Sequence, residues 1–154
     1  MRDMRLRALA RIRKQIKTTG LRDRCFELAQ RLTIDPDSTC RWQATIIIGE
    51  FIETDPDRVW QVARQLGTSA KSDIRMASAT VLLEHLLQYR TARMGPLFRA
   101  ELRLGDPRFA HAVASCWNFG SGRTVQRIQR VIDEANQRSN KAPDCVKTTR
   151  SAIW

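Results

Sequence analysis

The chain's 154 residues include only two histidines, His85 and His111, and four cysteines, Cys25, Cys40, Cys116 and Cys145. No CxxC and no paired Cys/His spacing occurs, and His111 with Cys116 lies five apart on one predicted helix, on different faces. Metal binding is therefore not expected, and no cofactor is indicated. A nucleophile elbow and a glycine-rich phosphate loop are both missing, so the sequence offers no motif for acyl or phosphoryl transfer. The cysteine usage reads as reduced thiols in a cytoplasmic protein. What remains as chemistry is charge. Arg7, Arg11 and Lys14 fall at i, i+4 and i+7 of a first helix, opposite Leu9, Ile12 and Ile16, and Arg123, Arg127 and Arg130 repeat that spacing on a last one. Unpaired like charges at this spacing disfavour a helix by a few tenths of a kcal/mol per pair, so helix stability does not explain them. Arginine suits phosphate through bidentate hydrogen bonds and weak hydration, although the same stripes also read as solubilising faces of two capping helices. Glu134 partly offsets the second stripe.

The net charge of +11 is unevenly spread: +7 over residues 1–33, −5 over 34–57 and +9 over 58–154. Such a balance favours anionic partners, whether nucleic acid, an acidic protein segment or a membrane surface, and does not choose among them. No apolar run approaches the length of a membrane span, so membrane insertion is not expected.

The elements that must position these groups repeat. The stretch around Arg41-Trp42-Gln43-Ala44-Thr45 returns 34 positions on as Arg75-Met76-Ala77-Ser78-Ala79, and 33 further on as Arg108-Phe109-Ala110-His111-Ala112. Each unit keeps Arg, then a bulky apolar residue, then a small one four positions after it. This pattern predicts stacked helix pairs in which each unit buries its neighbour's face. On that alignment Trp42 is core, because Met76 and Phe109 replace it, and Trp60 faces inward. Residues 1–19 read as a basic amphipathic capping helix with Leu6, Leu9, Ile12 and Ile16 on its apolar side. Phe26, Leu28, Ala29 and Leu32 form the next apolar face. Asp55 and Pro56 open a helix as N-cap and first residue, Gly67 ends it, Ser72 caps the Arg75 helix, and Pro96 opens Leu97 to Leu104. Gly105-Asp106-Pro107 is a tight turn, Gly120-Ser121-Gly122 a break, and Arg123 to Arg138 a last helix. A single domain over 1–138 is expected, with three helix pairs in 21–120, a final helix in 122–138 and a mobile tail in 139–154.

With Asp35-Pro36-Asp37-Ser38-Thr39-Cys40-Arg41, a turn followed by an Arg-led apolar helix, residues 21–120 resemble the HEAT and armadillo-like repeat family. The resemblance implies an all-α, HEAT-like α-solenoid of about three helical hairpins with capping helices, used as a protein-binding scaffold. In that family an Asp in the turn and an Arg six positions on form a ladder between repeats. Asp35 and Arg41 have this spacing, whereas Ser69 and Leu102 stand at the equivalent places before Arg75 and Arg108. The family also includes small DNA alkylation-repair proteins, and a glycosylase-like DNA-binding protein is the alternative. Such an enzyme would need an aromatic beside a carboxylate, for which Trp117 with Asp106 or Trp42 with Glu50 could be nominated. Glu50 and Glu84, nine after Arg41 and Arg75, together with a partly exposed Trp117 at the third such place, are candidates for an inner binding face. The leading expectation is a non-catalytic scaffold binding a protein partner, with nucleic acid as a possible second ligand.

Overall fold

A computed structural model describes residues 2–16, 19–116 and 123–141, apart from the side chains at 19, 123–125, 127–128 and 139–141. Among the described residues every regular element is helical and none is a strand. The order is α1 (Arg2–Gln15), a 3₁₀ turn (Thr19–Leu21), α2 (Arg22–Leu32), α3 (Ser38–Gly49), α4 (Pro56–Gly67), α5 (Ser72–Ala77), a π-helical stretch (Ser78–Leu83), α6 (Glu84–Leu104), α7 (Pro107–Ala114) and α8 (Arg123–Lys141). No described helix is long and apolar enough to cross a membrane.

The starts and stops follow local chemistry. Asp37 caps α3 by accepting the Cys40 N–H at 2.9 Å, and Asp55 caps α4 by accepting the Arg58 N–H at 3.3 Å with Pro56 at the first helical position. Gly105 ends α6 at φ +83°, a left-handed conformation that a residue with a Cβ adopts at a cost. Two expected starts are corrected. Lys71, not Ser72, precedes α5, and no side chain caps it. Pro96 does not open a helix; the break is at Arg90 (φ −132°, ψ 29°), so Pro96 lies inside the helix that follows. It lies past the first turn after the break, so it supplies no N–H to the Ala92 carbonyl.

Packing runs in two rows. α1 lies against α3, α3 against α5 and the π-helical stretch, and both of these against α7; behind them α4 contacts α6, and α8 closes the far end on α6 and α7. The helices led by Arg41, Arg75 and Arg108 are thus stacked neighbours. Between the rows Trp60, Phe98 and Phe109 meet at centroid distances of 4.7 to 6.2 Å, and all three are buried. Gly67 permits this approach, because a Cβ there would lie 3.1 Å from the Phe109 ring. Phe26 meets Phe51 edge-on at 5.1 Å in the first pair.

The third repeat is not in the register its arginine suggests. Trp42 is 42% exposed and Met76 37%, while Phe109 is fully buried, so the expectation that Trp42 is core is overturned. The reason lies in the helix starts. Ser38 and Ser72 stand three residues before their arginines, but Pro107 stands immediately before Arg108. Counted from the start of each helix, Cys40, Ile74 and Phe109 are all third and all buried, and Ala44, Ser78 and Val113 are all seventh and all buried. The shift of two residues turns the Arg108 unit by about 200° relative to the Arg-based alignment.

Polar contacts recur at the repeat interval. Arg58 binds Asp23 at 2.8 Å and Arg93 binds Asp57, each reaching back one helix pair. Arg41 uses Nη1 to hold the carbonyls of Asp35 (2.6 Å) and Pro36 (2.8 Å), and Nη2 to hold Asp73 of the next unit. The Asp35 carboxylate, expected to face Arg41, instead takes Arg5 at 3.2 Å and the Asp37 N–H at 2.9 Å. Burial works against the Asp73 carboxylate, but the hydrogen bond and charge of Arg41 outweigh it and hold its pKa below the ordinary 3.8. A depressed folded pKa means that Asp73 stabilises the fold fully above its ordinary value and loses that contribution as pH falls through the folded value. Melting temperature is therefore expected to drop on acidification below about pH 4, and Asp73→Asn should flatten part of that slope. Thermal melts of both proteins across that range check this; identical acid slopes would contradict the rung.

Candidate partner-binding groove

A groove of about 820 Å³ runs between α1 and α2 at one end of the stack. On α1 an apolar line of Met4, Ala8 and Ile12 lies at i, i+4 and i+8, beside the cationic line of Arg7 and Arg11; α2 contributes Leu28, Arg31 and Leu32. Met4 is 69% exposed and Leu28 is 40% exposed, large apolar groups left unburied by the rest of the fold. Arg7, Arg11 and Arg31 are exposed and make no ion pair among the described residues. Among the described residues no carboxylate lines the groove. The combination offers an apolar floor flanked by three guanidinium groups, each free to take a carboxylate or phosphate.

Of the first stripe, Arg7 and Arg11 line this groove and Lys14, although exposed, does not. Leu28, expected in the core, lines it instead. Arg130 of the second stripe is exposed at the opposite end, in a cleft between α6 and α8 that it shares with Arg99 and Glu134. The Arg123 and Arg127 side chains lie outside the described residues, as do Trp117 and residues 142–154; α8 continues to Lys141, three residues into the expected tail of 139–154. Arg130 and the Arg7–Arg11 pair therefore lie at separate ends of the stack. Arg31 and Met4 were not singled out in the sequence. Their signal is there: Arg31 is three after Leu28, and Met4 extends the Ala8, Ile12 spacing by one turn.

The acidic candidates do not form a strip. Glu50 is exposed and paired with Arg13 at 3.0 Å. Glu84 is buried at the start of α6. Trp42 on α3 and Glu50, the residue just after α3, are eight residues apart, about 12 Å along a helix axis. Burial pushes up the Cys25 and Cys40 thiols, and burial followed by the Glu84 charge pushes up that of Cys116, so these three thiols are protonated at neutral pH. His85 donates from Nδ1 to the Val81 carbonyl at 2.7 Å. Among the described residues no three His, Cys, Asp or Glu side chains converge as metal ligands would.

No family model, no curated protein and no solved structure matches this chain.

Proposed function

We propose that the protein is a short HEAT-like α-solenoid scaffold that binds an acidic amphipathic helix of a partner protein in the α1–α2 groove. One observation carries the binding site: Met4, Ala8, Ile12, Leu28 and Leu32 line the groove beside three unpaired arginines. An apolar floor selects a ligand with an apolar face, and the flanking cations select carboxylates along that face's edges. Nucleic acid would use the cations but leave the exposed Met4 and Leu28 without a role, so an acidic helix fits the groove better. The solenoid reading is supported by the stacking of the Arg41, Arg75 and Arg108 helices and by ion pairs that reach from one helix pair to the next.

The test is direct binding of a labelled synthetic helix with Leu on one face and Glu on both flanks, followed by fluorescence anisotropy. The Glu peptide should bind at about 50 mM salt and weaken as salt rises, while a Lys-flanked version of the same peptide should not bind. Equal binding of both peptides, or preference for a random-sequence DNA duplex over the Glu peptide, would overturn the proposal.

A further inference from the structure

Counted from the start of each helix, the second residues of α3, α5 and α7 are Thr39, Asp73 and Arg108. The first two each accept a hydrogen bond from an arginine one unit earlier: Thr39 Oγ1 from Arg2 Nη2 at 3.0 Å, and Asp73 from Arg41 Nη2. The arginine standing in that relation to Arg108 is Arg75. An oxygen acceptor at two levels of the stack is thus replaced, at the third, by a second guanidinium.

Arg75 is otherwise built like Arg41. Its Nη1 holds the carbonyls of Ser69 at 2.8 Å and Ala70 at 2.9 Å, the residues six and five before it, as Arg41 holds Asp35 and Pro36. The other edge of the fork has no partner. Nε is buried without an acceptor, and Nη2 makes no hydrogen bond among the described residues. Arg5 and Arg90 bury an unmet Nε in the same way, so what sets Arg75 apart is Nη2, the atom that in Arg41 holds Asp73. Arg75 lines a pocket of about 510 Å³ with Arg108, His111, Leu104 and Pro107. Its one acid, Asp106, is committed to capping α7, with Oδ1 on the Arg108 N–H at 2.8 Å, and makes no ion pair with Arg75.

We propose that the Arg75–Arg108–His111 pocket binds a carboxylate of a partner polypeptide, which takes the place that Asp73 fills for Arg41. Arg75 Nη2 and the exposed Arg108 guanidinium offer donors where Asp73 meets Arg41 one level down, and a carboxylate can bridge the two. Phosphate can use the same donors, so the choice of a carboxylate rests on the equivalent place below, where a carboxylate, Asp73, meets Arg41. The carboxylate can come from a side chain or from a chain terminus, and this site is separate from the α1–α2 groove.

Three probes distinguish the possibilities on the full chain: an amidated peptide with one internal Glu, an acid-free peptide with a free C-terminal carboxylate, and inorganic phosphate. An amidated, acid-free peptide is the control. Binding is read by NMR from the Arg75 Nε–H and the His111 ring. Saturable shifts of both signals are expected with at least one carboxylate peptide and not with the control, and the tighter of the two names the source. Arg75→Gln should weaken this binding by about tenfold or more. Because Arg75 also ties down the loop before α5, Arg108→Gln is the second variant; Arg108 is exposed and its side chain makes no hydrogen bond among the described residues. It should weaken binding about three- to tenfold with an unchanged melting temperature. The proposal is overturned if neither peptide moves these signals, as when Asp106 closes the rung itself, if both variants bind like wild type, or if phosphate binds more tightly than either peptide.

Discussion

Phe109→Ala is expected to lower the free energy of unfolding by about 3–5 kcal/mol, and Trp42→Ala by about 1 kcal/mol or less, although the two residues follow equivalent-looking arginines. Phe109 is fully buried, with its ring against Trp60 at 5.9 Å, Phe98 at 6.2 Å and the backbone of Gly67. Truncation removes a whole aromatic ring from a site walled by other rigid rings and a helix backbone, which collapse poorly around a void. Trp42 keeps 42% of its surface in solvent, so its removal forfeits far less packing. Chemical denaturation of both variants measures the difference. Comparable losses would mean that the third helix pair follows the Arg-based register and that the two-residue shift is wrong.

The second large effect is on binding. Exchanging Arg7, Arg11 and Arg31 together for Glu should weaken the Glu-flanked helix by roughly a hundredfold, about 3 kcal/mol, at low salt. Each exposed ion pair contributes only about 0.2–1 kcal/mol, but reversal also sets three repulsions against the ligand's flanks. Fold stability should change little, since the three side chains are exposed and make no ion pair among the described residues. Anisotropy titrations with circular dichroism as the fold control read both quantities. A loss below about threefold would remove these arginines from the binding surface.

How much of this was legible in the sequence depends on which signal each residue obeys. The apolar spacing of Leu9, Ile12 and Ile16 marked the buried side of α1, and Asp55-Pro56 marked the start of α4, because periodicity and capping are local and leave little choice. The repeat interval was legible too, and with it the stacking of α3, α5 and α7. Trp42 was misread as core because Arg108 looks like Arg41 and Arg75 while its helix starts two residues later, so the buried Phe109 is not its equivalent. Pro107, which fixes that start, was the better guide. Leu28 was misread for a different reason. It sits beside the buried Ala29 and at helical spacing from the buried Cys25, but α2 turns it toward a groove that only the placement of α1 defines. The vacancy at Arg75 was beyond reach of motif reading, since it depends on which residue one helix pair away meets which edge of the guanidinium.

The most direct measurement is a methyl NMR map of the full chain with and without the Glu-flanked helix. Met4, Ile12, Leu28 and Leu32 should shift on binding, because their methyl groups line the groove, while Ile48 and Leu82, buried deep in the stack, should stay in place. Binding that leaves those four methyls unmoved, or that moves Val131 and Ile132 of α8 at the other end of the stack instead, would contradict a scaffold that reads its partner through the α1–α2 groove.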